Sequence, residues 1–399
     1  MKPLDGVRII DLSRLLPGPY CTMLLADLGA EVIKIETPGL GDYMRLIPPF
    51  VENKETGETV SAAYLMVNRN KKSVALNFRN PRGKSVFLRL IRDADIFLES
   101  FRPGQVDKWG IGYAALRAVN PRLVYCSLSG YGQEGPYRDR AGHDLNYIAL
   151  NGLLAANGAA GGPPIPPAVQ IADLSGGMLA AISILAALVG RGKSGAGQYL
   201  DVGLFDGALS WAGTIIGGAH AAGQKTERGR MQLNGGMPCY NVYATRDSQH
   251  ITLAAIEPHF WSAFCKIVER DDLNARQQEF EAVPEVAAIF RGRTLDEWLA
   301  VFKTLDACIE PVRDFSHVFN DPHVRHRGLI AQMDVPGIGI VPQIGSVFVF
   351  APGAATPPPR QGEHTRAVLE QIGLGDAELE EMERAGLIKT AKEDSNDRF

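Results

Sequence analysis

Short apolar runs alternate with stretches of helical periodicity through the first half of the chain. Residues 7–12 form a run rich in β-branched side chains, which predicts a buried strand. A Pro-Gly-Pro sequence at 17–19 opens a helix that extends to residue 27, and Gly29 follows where helices commonly end. Residues 31–36 predict the next strand. A strand, a helix and a strand so close together form a βαβ unit, whose right-handed crossover makes the two strands parallel.

The same alternation continues to about residue 202. It predicts strands at 73–78, 95–98, 123–128 and 198–202 and helices at 81–92 and 174–189. The last of these helices is apolar almost all round, which is typical of a buried helix. The pattern therefore predicts an α/β fold with an open, Rossmann-like parallel sheet that carries helices on both faces.

The second half of the chain has a different character. A stretch rich in glycine and charge precedes a short hairpin and amphipathic helices such as 295–305, and a proline-rich connector at 351–359 precedes a final helical pair at 363–372 and 376–386. We expect a smaller α+β domain here, with the final helices packed back onto the sheet. The predicted division is a large domain 1–216, a linker 217–239, a small α+β domain 240–328, and a returning segment 329–399 of linker and C-terminal helices.

Charge and composition exclude several classes of protein. Lys and Arg total 41 and Asp and Glu total 45, so the net charge of −4 argues against a general nucleic-acid binder. No run reaches the roughly 18 apolar residues of a membrane span, and the early charges Asp5 and Arg8 argue against a secretory signal. Five widely spaced cysteines predict no disulfide framework. We expect a cytoplasmic protein that binds neither membranes nor nucleic acid.

A glycine motif follows the predicted strand at 123–128. Residues 130–135, Gly-Tyr-Gly-Gln-Glu-Gly, match the G-x-G-x-x-G pattern of dinucleotide-binding proteins. That fingerprint also needs a helix at the third glycine, so that the pyrophosphate meets the helix N-terminus. Here Pro136 and charged residues follow instead, so a glycine-rich loop that shapes a cleft is favoured over a nicotinamide site.

Positive charge is concentrated in one region of this acidic chain. Its members are Arg69, Lys71, Lys72, Arg79, Arg82 and Lys84. A solvated surface and a phosphate site, where Arg and Lys supply charge-assisted hydrogen bonds, are both open interpretations. Arg102 comes just after a predicted strand, where ligands of open α/β sheets bind, and supports the second.

Three places carry residues suited to proton chemistry. Residues 142–147, Gly-His-Asp-Leu-Asn-Tyr, place His143 beside Asp144 where a helix begins, although the pair could simply cap that helix. Asp173 stands at the start of the apolar helix as an ordinary cap or as a reactive carboxylate, and the N–H groups there could receive an oxyanion. Glu257 ends a strand-like run and could be an ordinary exposed acid.

No metal site is expected. The histidines at 259, 317, 323 and 326 lack the spacing, and the carboxylate or thiolate neighbours, that metal ligands show.

Together these segments resemble the superfamily of family III CoA-transferases and α-methylacyl-CoA racemases, and the likeness covers nearly the whole chain. The segments typical of the superfamily are Asp-Gly-Val-Arg at 5–8, Leu-Leu-Pro-Gly-Pro at 15–19, Leu-Ala-Asp-Leu-Gly-Ala at 25–30, Arg-Pro-Gly at 102–104 and Ser-Gly-Tyr-Gly-Gln at 129–133. Three further segments, at 142–147, 234–240 and 256–258, resemble the racemase branch.

The resemblance implies roles for the polar residues. In the racemase branch His143 and Asp173 form the acid/base pair, and Glu257 and Asp144 support them by hydrogen bonding. In the transferase branch the residue matching Asp173 is instead the nucleophile that forms acyl anhydrides, and the histidine is usually absent.

The resemblance also implies a substrate, an assembly and no separate cofactor. CoA is carried as part of an acyl-CoA thioester substrate, and the protein is an interlocked homodimer whose active site draws on both chains. The CoA contacts carry over to Thr37, Leu76, Asn77, Phe78, Arg79, Arg102, Lys108, Gly142, Leu145, Asn146 and Tyr147. Thr37 and Lys108 stand where arginine is frequent in the family, and Thr37 removes a charge near the CoA phosphates.

The sequence thus predicts a racemase (epimerase) that inverts the α-carbon of 2-methylacyl-CoA thioesters by 1,1-proton transfer through an enolate. His143 and Asp173 serve the two faces of that enolate. The alternative is a family III CoA-transferase that moves CoA between carboxylic acids through an anhydride at Asp173. A non-catalytic acyl-CoA-binding protein is a third class. The acyl group itself stays open.

Overall fold

The computed structural model describes residues 1–53, 57–223, 226–351 and 353–391 of the 399-residue chain. The final residues of the predicted returning segment, 392–399, lie outside this description. The chain divides into two compact units. Unit 1 comprises the described parts of Met1–Tyr147, Gln170–Ser210 and His323–Phe399, and unit 2 comprises those of Ile148–Val169 and Trp211–Pro322.

The strands are numbered in chain order. They are β1 Arg8–Asp11, β2 Glu31–Glu36, β3 Phe50–Glu52, β4 Thr59–Ser61, β5 Lys71–Leu76, β6 Ile96–Glu99, β7 Val124–Ser129, β8 Tyr199–Gly203, β9 Tyr240–Ala244, β10 His250–Ala254, β11 Ile309–Pro311, β12 Ile330–Val335, β13 Gly339–Ile344 and β14 Ile388–Lys389.

The α-helices are numbered in the same way. They are α1 Pro17–Asp27, α2 Ala62–Val67, α3 Pro81–Arg92, α4 Gln105–Lys108, α5 Tyr113–Val119, α6 Asp144–Leu150, α7 Leu153–Ala156, α8 Ile171–Ser194, α9 Leu204–Ser210, α10 Gly213–Ala222, α11 Pro258–Ile267, α12 Val283–Phe290, α13 Leu295–Phe302, α14 Phe315–Val318, α15 Pro322–His326, α16 Thr365–Gln371 and α17 Asp376–Arg384.

A seven-stranded sheet organises unit 1. Its strand order is β14-β5-β2-β1-β6-β7-β8, and every neighbouring pair is parallel except β14 with β5. The central strands are buried on both faces, as is usual for parallel strands covered by helices. The predicted α/β class with a large, mostly parallel sheet is confirmed. Strand β5 begins two residues before the predicted strand, and the short β14 was not predicted.

In helix α3 the local start signal and the position of the apolar side chains both favour the observed structure. It begins because the Asn80 side chain accepts the N–H of Arg82 at 2.9 Å and Pro81 occupies the first turn, where its missing N–H costs nothing. Its apolar face, which includes Phe87 and Leu90, lies in the buried core under the sheet. Helices α16 and α17 add buried side chains to the same core, so the end of the chain packs onto this sheet.

Helix α8 is the longest helix in the described part of the chain and packs against α1, α9 and β7. By length and composition it is the one described helix that could cross a membrane, a test that core helices of soluble proteins also pass. Small residues explain its close packing. A Cβ atom on Gly176 would lie 2.4 Å from a methyl carbon of Leu204, which begins α9. Part of its apolar surface is exposed, at Met178, Ile182 and Val189.

Unit 2 contains an antiparallel sheet of order β11-β10-β9 and an aromatic core that includes Trp261, Phe264, Phe290 and Trp298. Its limits differ from the predicted small domain. Residues 148–169 belong to it because Arg228 and Asn234 donate side-chain hydrogen bonds to the carbonyl oxygens of Ala155 and Ala156. Helix α10 also continues to Ala222, inside the predicted linker.

Candidate functional site

A cavity of about 450 Å³ lies at the carboxyl ends of strands β6 and β7 of unit 1. We call it the main cavity because it contains the predicted residues His143 and Asp173, although a larger cavity of about 900 Å³ lies in unit 2. Ligands of open α/β sheets bind at this edge. The residues that line it are Arg14, Leu15, Pro17, Ser100, Phe101, Arg102, Pro103, Leu128, Ser129, Gly130, Tyr131, Arg138, Arg140, Ala141, Gly142, His143, Asn146, Tyr147, Asp173 and Leu204. The fold thus brings His143 and Asp173, thirty positions apart in sequence, to one cavity.

His143 stands immediately before helix α6. Its backbone N–H donates to Oδ1 of Asn146 at 3.0 Å, and its carbonyl accepts the N–H of Asn146 at 2.8 Å. This reciprocal pair fixes the turn that presents the imidazole, in the manner of a capping box. Asn146 was predicted to contact CoA, and its side-chain oxygen already serves this turn. The imidazole of His143 is exposed on the cavity wall, whereas Leu145 of the same turn does not line the cavity.

Asp144 links this turn to helix α8. Its Oδ1 accepts the N–H of Ala172 at 2.5 Å and that of Asp173 at 3.2 Å. The carboxylate that caps α8 therefore comes from Asp144, and Asp173 lies inside the first turn, after the N-cap residue Gln170. The interpretation of Asp173 as the N-cap is wrong. The N–H groups suggested as oxyanion donors are bonded to Asp144.

The carboxyl of Asp173 has an unusual environment. Burial, and to a smaller extent the negative charge of Asp144, raise its pKa from 3.8 to about 7. A helix N-terminus ordinarily stabilises a carboxylate, but here Asp144 takes the N–H groups that would do so. Asp173 is therefore close to half protonated at neutral pH, a state in which it can both accept and donate a proton.

Tyr147 holds the loop that carries His143. Its hydroxyl donates to the carbonyl oxygen of Gly142 at 2.6 Å, and burial together with the charge of Asp173 raises the pKa of that hydroxyl to about 12. Gly130 makes this possible, because a Cβ atom there would lie 2.5 Å from the Tyr147 oxygen. Within the described residues no helix begins at the third glycine of the 130–135 motif, and α6 is the next helix along the chain. The motif forms a cleft loop, as favoured.

A second cavity, of about 180 Å³, lies at the carboxyl ends of β1 and β2 in unit 1 and contains three of the predicted CoA contacts, Thr37, Phe78 and Arg79. We call it the Arg79 cavity. The Arg79 guanidinium stacks on the Trp109 indole, 4.5 Å from the ring centroid. The carbonyl oxygen of Thr37 accepts a hydrogen bond from the Gln361 side chain at 2.7 Å.

The other predicted CoA contacts lie in varied places. Arg102 is exposed and lines the main cavity, whereas Lys108 is exposed at the end of α4 and lines neither cavity. Leu76 is fully buried in the core, and the N–H of Asn77 donates to the carbonyl oxygen of Leu387 at 2.7 Å. The side chain of Leu76 is therefore packed against protein.

Two cations of the basic region, Arg69 and Lys71, are buried and are not available to a phosphate. Arg69 is buried and donates two hydrogen bonds to Asp27, at 3.0 and 2.6 Å. The Lys71 ammonium is also buried, where it donates to Pro19 and Asn68 and lies 3.5 Å from Asp11. These cations are neutralised within the fold. No local pattern indicates this neutralisation, because the acidic partners Asp27 and Asp11 are distant along the chain.

Two further cations of that region are paired at the surface of unit 1. Lys72 bonds to Glu31 at 2.6 Å and Arg82 bonds to Glu381 at 2.6 Å. Among the predicted cations between residues 69 and 84, Arg79 is the one that lines a cavity described above.

Glu257 belongs to unit 2. It precedes helix α11, where its carbonyl accepts the N–H groups of Phe260 and Trp261, and its side chain is exposed. Its predicted support of His143 stays a prediction.

Three residues in or beside the two cavities, Arg14, Trp109 and Ser129, are not predicted from the sequence as site residues. Ser129 and Arg14 follow or end sheet strands, so the rule that ligands bind beyond carboxyl ends could have found them. Trp109 carried no such signal, because its role as the platform for Arg79 depends on how α4 packs.

Comparison with known proteins shows to which family this chain belongs. The family model described as CoA-transferase family III matches residues 4–365. The succinyl-CoA:glutarate CoA-transferase of Mus musculus is 35% identical, over 98% of this chain and 91% of that protein. The α-methylacyl-CoA racemase of Homo sapiens is 32% identical, over 98% of each. A crystal structure of a CAIB/BAIF family protein from Brucella suis superimposes with a TM-score of 0.80 at 28% identity, covering 93% of this chain and 99% of that one.

Proposed function

Since the chain belongs to CoA-transferase family III, we propose that it is a racemase that inverts the α-carbon of 2-methylacyl-CoA thioesters by 1,1-proton transfer. The observation that carries the proposal is that His143 and Asp173 line the same cavity from two different elements. Inversion needs two proton carriers, one for each face of a planar enolate. A transferase needs only the carboxylate of Asp173 as a nucleophile, and the histidine would then have no part in the bond changes.

The pKa of Asp173 suits this chemistry. Proton transfer is most efficient when the pKa of the carrier lies near the working pH, and burial raises the pKa of Asp173 to about 7. Neutral His143 removes the α-proton of one enantiomer while protonated Asp173 returns a proton to the opposite face. For the other enantiomer the roles reverse. The electron pair of the broken C–H bond resides on the thioester oxygen of the enolate in between.

CoA is held, in this proposal, by the edge of the sheet that carries both cavities. Arg102 in the main cavity and Arg79 in the Arg79 cavity are exposed guanidinium groups, which bind phosphates by charge-assisted hydrogen bonds. Thr37 supplies no charge, so Arg79 on its Trp109 platform carries more of the phosphate binding.

The proposal includes the interlocked homodimer. Met178, Ile182 and Val189 are spaced along one side of α8 and are 42%, 61% and 67% exposed, and apolar stripes of this kind commonly mark a protein interface. Glu257 of a second chain would then support His143. Light scattering on the purified protein measures the molecular mass, and a monomer at micromolar concentration would contradict this part.

The test uses each enantiomer of a 2-methylacyl-CoA in deuterated water. The wild type should incorporate deuterium at the α-carbon and lose optical rotation. His143→Asn should abolish inversion yet exchange the enantiomer whose proton faces Asp173, and Asp173→Asn should show the opposite selectivity. His250→Asn, at an exposed position of β10, is the matched control and should behave as wild type. A wild type that binds the thioester without exchange would refute the proposal.

A transferase is the second candidate, because the carboxylate of Asp173 is also the group that a family III CoA-transferase would use. Its succinyl-CoA:glutarate relative in Mus musculus is 35% identical. The Asp173 carboxylate would attack the thioester carbonyl, form an acyl anhydride and release the CoA thiolate. That activity predicts CoA transfer to free succinate or glutarate and inactivation by hydroxylamine in the presence of acyl-CoA. His143→Asn should leave both unchanged.

A further inference from the structure

Ser129 has a buried hydroxyl in the main cavity, and the described part of the fold provides no hydrogen-bond partner for it. It is the last residue of β7 and only 6% exposed. Its Oγ atom is buried, and no group in the described parts of the chain bonds to it. Leaving such a group unpaired is unfavourable, so a native site commonly reserves it for a bound partner.

Ser127 provides a direct comparison on the same strand. It is 2% exposed, and its Oγ lies 3.4 Å from the Tyr199 hydroxyl and bonds to Glu99. Ser127 does not line the main cavity. The two buried serines of this strand therefore differ in their surroundings. Ser127 has partners within the fold, whereas Ser129 has none among the described residues and lines the main cavity.

Three neutral donors around Asp173 are already engaged within the fold. The N–H groups of Ala172 and Asp173 donate to Asp144, and the Tyr147 hydroxyl donates to the carbonyl oxygen of Gly142. An enolate needs a preorganised donor at its oxygen, and in a buried site such donors contribute strongly. Ser129 is a neutral, buried donor in the cavity that bonds to no group in the described part of the chain.

We infer that the Ser129 hydroxyl donates a hydrogen bond to the thioester carbonyl oxygen of the bound acyl-CoA. This inference rests on the proposed racemase function. When His143 or Asp173 removes the α-proton, the electron pair of the C–H bond moves onto this oxygen, and the bond from Ser129 strengthens as the negative charge develops. Ser129 keeps its own proton throughout. When the α-carbon is reprotonated, the electron pair leaves the oxygen, the carbonyl re-forms and the thioester is neutral again.

The experiment compares Ser129→Ala, Ser129→Cys and Ser127→Ala in the deuterium-exchange assay. Ser129→Ala should lower kcat about 100-fold, the loss seen when one oxyanion donor is removed, with a much smaller change in KM. Ser129→Cys, which retains a weak S–H donor of similar size, should fall between Ser129→Ala and the wild type. Ser127→Ala should keep the wild-type kcat and lose thermal stability, because it removes bonds to Tyr199 and Glu99.

Two outcomes would overturn the inference, and they are distinguishable. If the wild type exchanges and Ser129→Ala retains its kcat with a normal melting temperature, the hydroxyl has no role in the reaction. If the wild type binds acyl-CoA and shows no exchange, the racemase function itself fails and the enolate bond fails with it. Circular dichroism of each variant separates a loss of folding from a loss of donor.

Discussion

The carboxyl of Asp173 should lower the free energy of unfolding at neutral pH relative to pH 4. Comparison of the wild type with Asp173→Asn should reveal this loss. Its carboxyl has a pKa of about 7 in the folded chain against 3.8 ordinarily. The folded state therefore binds the proton more tightly than the unfolded state, and the free energy of unfolding falls as the pH rises from about 4 to about 7. At about 1.4 kcal/mol for each tenfold change in proton affinity, this difference amounts to at most about 4 kcal/mol.

The assay is urea unfolding of the wild type and Asp173→Asn between pH 4 and pH 8. Asparagine cannot ionise, so the stability of the variant relative to the wild type should increase through this range and level off above pH 7. Asp144→Asn is the informative companion, because its charge is the second cause of the raised pKa of Asp173. When Asp173→Asn is compared with its parent in the Asp144→Asn background, the pH-dependent increase in relative stability should be smaller. Two parallel stability curves would show that the pKa of Asp173 is ordinary, and the acid/base assignment would lose its physical basis.

Two further predictions follow from the buried and exposed cations of unit 1. Arg69→Ala should lower the free energy of unfolding by about 3–5 kcal/mol, measured by urea unfolding, because it leaves the buried Asp27 carboxylate without its charged partner; a change below 1 kcal/mol would contradict the buried pair. Arg79→Ala should weaken CoA binding roughly tenfold in calorimetry, whereas Arg82→Ala, which removes an exposed pair with Glu381, should leave it unchanged. Equal effects of the two variants would argue against CoA binding at the Arg79 cavity.

The order of strands and helices in unit 1 is largely encoded locally. The apolar runs, the Pro-Gly-Pro start of α1 and the Asn80-Pro81 start of α3 each act within a few residues, so the sequence predicts these elements with limits close to those observed. The parallel sheet follows from the right-handed crossover rule. The two-residue strand β14 is different. It exists because it pairs with β5, and no local pattern marks it.

Residues distant along the chain determine the burial, the hydrogen-bond partners and the protonation of the site side chains. Sequence alone named His143, Asp144 and Asp173 as chemical candidates, but only folding showed that Asp144 caps helix α8 and that Asp173 is left buried with a raised pKa. The charge of Arg69 left a phosphate site open as an interpretation of the sequence. In the folded protein Arg69 forms a buried ion pair with Asp27. Electrostatic free energies depend on burial and on neighbours within a few ångströms, and these are set by the tertiary structure. Residue types are read along the chain, whereas their protonation and their partners are properties of the folded molecule.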